Sequence, residues 1–223
     1  MKITFIAQSG FIIETPQMSF SIDLWLDNPL HKISLDDVPK LDAVFITHDH
    51  FDHGLMDGVE LAKRDDAFFI SSKDIQDEIL KEAGLKFVEP PQIGEVYTVN
   101  DLSIKLMHAK HPSEVGEAIG FLITIDGTKI YHPGDTDYID EFEDIGKNDT
   151  IDLFLVPIGS YYTMGPSDAV RAVKAVNPKH VIPMHYNTFD KIKQDPMEFA
   201  EEVKTSSNKT KIHVLDPGTT LIF

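Results

Sequence analysis

The chain has no cysteine in 223 residues. Disulfides are excluded, and so is any thiolate metal site, so a metal bound here is held by imidazole and carboxylate. A cytoplasmic location is the expectation for such a chain. Arginine is nearly as scarce: Arg64 and Arg171 are the only two, against a formal net charge of −17. That balance repels polyphosphate and argues against nucleic acid or an anionic membrane as partner; its simplest consequence is solubility. No apolar run reaches the length of a membrane span, so no integral membrane association is expected. The opening "MKITFIAQSG" lacks the long apolar core of a signal peptide and is expected to be the first strand. Repeats, low-complexity tracts and linker-like stretches are missing as well. With 42% hydrophobic and 26% charged residues, what is left is an ordinary globular chain, read as one domain over 1–223.

The apolar patterning supplies the elements. "KITFIAQ", "FIIET" and "SFSIDLW" alternate or run apolar, punctuated by Gly10 and Pro16, and predict a meander. "AVFITH" (43–48) is a short continuous apolar run, as in a strand buried on both faces. Helices are predicted over "LMDGVELAKR" and over "KDIQDEILKEA", the latter capped by Ser72 and stopped at Gly84, with the strand "AFFIS" between them. The second half repeats this pattern. "EVYTV", "LSIKLM" and "AIGFLITI" are strands, Asp126-Gly127 is a hairpin turn into "TKIYH", and "LFLVPI" and "HVIPMH" are buried strands. Ser167 is expected to cap the helix "DAVRAVKAV", which ends at Asn177-Pro178; Asp195 and Pro196 open the last helix. Strands followed by β–α units, twice over, predict an α/β fold: a four-layer αββα sandwich.

Residues 46–54 read "ITHDHFDHG". On a loop leaving a strand, the spacing lets His48 and His50 face one point while Asp52 and His53 face another. Two ions side by side suit hydrolysis, because both share one water and lower its pKa. One loop cannot fill two coordination spheres, so further ligands are required downstream. "MHAKHPSE" offers His108 or His111, "YHPGDTDY" offers Asp135 and "VIPMHYNTF" offers His185, each just after an apolar strand run. Strand parity puts His108 in phase with Leu102, Ile104 and Leu106 and so predicts a packed residue, whereas Pro112 biases His111 towards an extended loop.

These motifs resemble those of the metallo-β-lactamase superfamily over nearly the whole chain. "THDHFDH" is similar to its first ligand motif, "HPGDT" to its bridging-aspartate motif and "PMHYNTF" to its last histidine. Spacing and the "PIGSYYTMGP" segment are most similar to small bacterial metal-dependent hydrolases related to L-ascorbate-6-phosphate lactonase. The resemblance implies a first metal on His48, His50 and His111, a second on Asp52, His53 and His185, and Asp135 bridging both. It implies a supporting role for Asp23, and His132 is a candidate for another. Two turns depart from the family pattern: relatives carry a histidine near Gln8, and serines where this chain has "HPSE".

The expected activity is metal-dependent hydrolysis of a small-molecule substrate, an ester or lactone, by a metal-bridged hydroxide, with Asp52 and Asp135 as the catalytic carboxylates. Zinc fits an all-His/Asp site best, with manganese and iron as alternatives. Tyr161, Tyr162, Met164 and Asn187 follow strand ends and are the candidate substrate-binding residues, Asn187 or a tyrosine steadying an oxyanion. The rival readings are a phosphodiesterase acting on a small or lipid phosphodiester and a non-catalytic metal-binding or sensor protein.

Overall fold

The expected meander is present as β1 (Lys2–Ala7), β2 (Gly10–Glu14) and β3 (Ser19–Ile22), antiparallel neighbours with Phe5 opposite Phe11 and Phe11 opposite Ile22. The structure, a computed structural model, describes residues 1–207 and 209–223, and the backbone alone for 79–83. The chain divides into two units. The first takes residues 1–91, 112–118 and 215–223, the second 92–111 and 119–214.

In the first unit the meander continues into β4 (Ala43–Phe45) and β5 (Phe68–Ile70), both parallel to β3, with Ile22, Phe45 and Ile70 level at their C-terminal ends. Helix α1 (Leu55–Asp65) follows β4, and α2 (Lys73–Ala83) follows β5, with the Ser72 hydroxyl accepting from the Ile75 amide as its cap and Gly84 in the left-handed conformation at its end. Val59, Leu61 and Ala62 recur at helical spacing on α1 and bury against Ile12, Val44, Ile46 and Phe69. Each of the larger ones, Val59 and Leu61, contributes roughly 1.5–3 kcal/mol on burial. Phe5, Phe11, Phe20 and Phe45 are equally buried, with ring centroids 5.1 Å apart for the first pair and 5.4 Å for the second.

The second unit holds β6 (Val96–Val99), β7 (Leu102–His108), β8 (Ile119–Ile125) and β9 (Thr128–His132), an antiparallel run. Asp126 and Gly127 both take positive φ, 51° and 77°, the turn expected of that pair. After α3 (Glu141–Asn148) come β10 (Leu153–Pro157), α4 (Pro166–Val176), β11 (His180–Met184), α5 (Pro196–Ser206) and β12 (Lys211–Ile212). Strands β9 to β12 run parallel in the order β12-β11-β10-β9. The core of this unit joins Tyr131, Phe142, Phe154, Val173 and Phe199. A final strand, β13 (Thr219–Ile222), returns to the first unit and pairs with β1.

Two expectations are corrected. Helix α4 is capped by Gly165 with Pro166 as its first residue, so Ser167 lies inside the first turn rather than at the cap. The reason is that proline is pre-set for the first helical position and draws the boundary one residue earlier. Helix α3 has no counterpart in the sequence reading: it buries only Phe142 and Ile145, a stripe too short to register as periodic, and Gly146 lowers its propensity.

Candidate metal centre

In the first unit the donors sit where β4 ends. His48 and His53 are fully buried, Asp52 is buried and His50 is half-buried. One buried carboxylate organises the loop. Asp23, just past the end of β3 with φ 45°, accepts from the Thr47 amide at 2.8 Å and the Thr47 hydroxyl at 2.6 Å, and lies 2.7 Å from His53 Nδ1. An ionised carboxylate only accepts, so His53 carries its proton on Nδ1. The Thr47 hydroxyl spends its hydrogen on Asp23 and therefore accepts from His48 Nδ1, 3.0 Å away. This network assigns the same tautomer to both rings and makes Nε2 the nitrogen with the lone pair. His48 Nε2 in turn lies 3.0 Å from His50 Nδ1, so two imidazole nitrogens approach one point. Gly54 closes the loop: a Cβ there would stand 2.1 Å from the Leu24 carbonyl oxygen, and its φ is +65°.

Two further side chains hold this loop, and sequence reasoning did not assign them. Gln8, buried in the β1–β2 turn with φ 54°, donates from Nε2 to Asp52 Oδ2 at 2.8 Å. Asp49, between the two histidines, accepts from the Ser113 hydroxyl at 2.9 Å and from the Glu114 and Val115 amides at 3.0 and 2.8 Å. The departures at Gln8 and "HPSE" therefore fall on residues that brace the loop. The available signal was the aspartate inside "HDH", a residue type that satisfies backbone amides in turns.

In the second unit three side chains meet at one oxygen. His185 Nε2 is 2.8 Å and His111 Nε2 3.7 Å from Asp135 Oδ2, and all three side chains are almost wholly buried. The turn carrying Asp135 is shaped by the buried His132, whose Nδ1 accepts from the Gly134 amide at 3.1 Å. It is tied to the His111 segment by the Lys110 amide donating to the Thr136 hydroxyl at 2.9 Å. His185 takes φ 56°, a strained backbone for a residue with a Cβ. Gly159 makes room for it, since a Cβ there would stand 2.2 Å from the His185 carbonyl oxygen.

His108 corrects the parity argument. Leu106 and Met107 are both buried, so strict alternation lapses as β7 ends, and His108 turns outward with 49% of its side chain exposed, 3.7 Å from Glu141. His108→Ala should therefore change stability by less than about 0.5 kcal/mol in a thermal melt, as surface substitutions do. His111→Ala should lower metal content, measured by elemental analysis. Loss of metal in the first variant and retention in the second would reverse the assignment.

The candidate substrate residues divide. Tyr161 and Tyr162 are exposed, in edge-to-face contact at 4.7 Å, with Lys191 Nζ 4.4 Å above the Tyr161 ring. Met164 is 1% exposed and belongs to the core, so packing accounts for it. Asn187 Oδ1 accepts from the Gln194 amide at 2.9 Å and holds its own loop.

The donors fit a divalent ion. In each unit the donors are imidazole nitrogens and carboxylate oxygens, the set that a divalent ion takes, and the tautomers of His48 and His53 present the unprotonated nitrogen that such an ion needs. Among the described residues no helix is long and apolar enough to cross a membrane.

The pattern of the Beta-lactamase superfamily domain matches residues 2–185. A UPF0173 metal-dependent hydrolase of Pyrobaculum islandicum is 38% identical, covering 99% of each chain, and one of Pelotomaculum thermopropionicum is 38% identical, also covering 99% of each. Igni18, a metallo hydrolase from the hyperthermophilic archaeon Ignicoccus hospitalis, superposes with a TM-score of 0.91 at 36% identity, covering 100% of this chain and 98% of its own. The chain belongs to the metallo-β-lactamase superfamily, alongside the UPF0173 metal-dependent hydrolases. Its fold class is the αββα sandwich expected from the sequence.

Proposed function

We propose that this chain is a metal-dependent hydrolase of a small ester or lactone, and that the two groups of donors form one dinuclear centre. In this reading His48, His50 and His111 hold one ion, Asp52, His53 and His185 the other, and Asp135 bridges them. Zinc is the first choice, because every donor is imidazole or carboxylate. The observation that carries the reading is the Asp23–Thr47 network, which gives two buried histidines the tautomer of metal ligands.

When bound, the ions supply an acidified water and polarise the scissile carbonyl. The chain's own residues do the rest. Gln8 donates to Asp52 Oδ2 and so fixes the orientation in which that carboxylate is presented. His132 fixes the turn that presents Asp135. Tyr161 and Tyr162, exposed on the loop after β10, are the residues that meet substrate in this reading. The resemblance to lactonases directs the substrate choice towards a cyclic ester, and the acidic surface disfavours a polyanion.

Elemental analysis of gently purified protein should find about two divalent ions per chain, as expected where seven donors exceed one tetrahedral shell. A plateau at one ion would sink the dinuclear reading. The metal-loaded protein should then turn over members of a panel of lactones and esters faster than phosphodiesters. Full metal content with no turnover anywhere in the panel would mean a metal-binding protein rather than an enzyme.

A further inference from the structure

Strand β12 forms one edge of the second unit's sheet and is only two residues long. Its backbone is held by the Lys211 amide donating to the Lys179 carbonyl and the His213 amide donating to the Val181 carbonyl, both at 2.9 Å. The Thr210 hydroxyl adds a bond to the Pro178 carbonyl, also at 2.9 Å. With so few tethers, one more is a large share of what keeps the strand in place. That further tether is a pair of half-buried histidines. His180 opens β11 and His213 follows β12, and Nδ1 of the first lies 2.8 Å from Nε2 of the second. The ring planes are 6° apart and the centroids 5.1 Å apart. Nitrogens so much closer than the ring centres mean that the rings meet edge to edge in nearly one plane, where the lone pair of an imidazole nitrogen lies. The contact is a hydrogen bond rather than a face-to-face stack.

Proton count decides whether such a contact holds. With both rings neutral, one inner nitrogen donates and the other accepts. With one ring charged, the inner bond persists and becomes charge-assisted. Once both are imidazolium, each inner nitrogen carries a hydrogen, no acceptor remains, and two like charges face each other. We propose that the His180–His213 pair is an acid-opened latch on β12, which holds the strand while the rings carry at most one charge between them and releases residues 210–213 when both are charged. The neighbouring charges favour the closed form at neutral pH. Lys179, just before β11, and Lys211 on β12 oppose protonation; Asp152, just before β10, favours it but is itself paired with Lys179 at 2.7 Å. Helix α5 packs on β12 and carries Glu198, Glu201, Glu202 and Lys204, none of which acts on either ring. Burial first, then Lys211 for His180 and the partner ring for His213, hold both groups below the ordinary histidine value of 6.5. The folded chain therefore binds fewer protons here than the unfolded one. The strand's hold is full above about pH 6.5 and is lost as the pH falls through the lowered values.

The test follows amide hydrogen exchange by NMR on the full chain from about pH 7.5 to about pH 4.5, each rate divided by the intrinsic rate at that pH. Protection of the Lys211 and His213 amides should fall about tenfold or more over this range, while that of the β10 amides stays within about twofold. His213→Gln places a side-chain amide opposite His180 that either donates or accepts, so the latch stays shut whatever the charge on His180. In that variant protection at Lys211 and at position 213 should change by less than about threefold. Protection that ignores pH in the wild type overturns the proposal, as does an equal fall in His213→Gln or a fall shared by β10. The ring-nitrogen shifts of the wild type give an independent reading. A coupled pair should take up its two protons in steps about one pH unit or more apart, and two histidines that titrate together at the ordinary value overturn the proposal. Should His213→Gln leave the strand unprotected at every pH, these shifts decide alone.

Discussion

Asp135→Asn should abolish hydrolysis while leaving the melting temperature close to that of the wild type. Asp135 Oδ2 already has His185 Nε2 at 2.8 Å and His111 Nε2 at 3.7 Å, so it is the point at which the donors of the second unit converge. Asparagine has nearly the same shape and fills the same space. It replaces one oxygen by an amide nitrogen, which brings protons and no lone pair to a position read as bridging two cations. Loss of the bridge removes several kcal/mol of charge stabilisation, on the order of a thousandfold or more in rate. The comparison should be made on metal-reconstituted protein, with turnover, metal content and thermal melt measured on the same preparation. Near-wild-type turnover would show that Asp135 lies outside the reacting centre.

How far the site was legible follows from which interactions are local in sequence. The candidates His48, His50, Asp52, His53, Asp135 and His185 stand just beyond apolar runs that form strands, and residue type with strand periodicity is enough to mark them as candidates. The bracing contacts are different. Gln8 reaches Asp52 across 44 positions and Asp49 reaches the 113–115 segment across about 65, and neither leaves a mark in local pattern. Left-handed backbone at Gln8, Asp23, His185 and Asn187 is likewise illegible, because none of these is glycine. It persists where surrounding contacts over-determine it, a tertiary property. His108 was misread for a related reason: phase along β7 cannot report that Met107 is buried as well as Leu106, or that Glu141 on α3 waits beside the strand end. The long, strongly patterned elements needed no such knowledge, and Ser72, Gly84, Asn177 and Asp195 cap their helices as expected.

Asp23 tests the other half of the site, and two substitutions there should part stability from metal binding. Asp23→Ala leaves the Thr47 amide, the Thr47 hydroxyl and His53 Nδ1 without their buried acceptor. Each such loss costs about 1–3 kcal/mol, so a total of about 3 kcal/mol or more is expected. For a chain of this size that is a fall of roughly 10 °C in melting temperature. Asp23→Asn keeps the shape and reverses the direction of the hydrogen bonds. Its oxygen accepts from the Thr47 amide, and its two amide hydrogens point to the Thr47 hydroxyl and to His53 Nδ1. His53 Nδ1 must then accept, which moves its proton to Nε2. The Thr47 hydroxyl now accepts from the amide and donates to His48 Nδ1, which moves that proton to Nε2 as well. Both rings thus present N–H where a cation needs a lone pair. The fold should survive with little change in melting temperature, while metal affinity falls by roughly 10- to 100-fold, measured by competition against a chelator. If Asp23→Asn binds metal as tightly as the wild type, His48 and His53 do not serve through Nε2, and the ligand set read from "THDHFDH" is wrong.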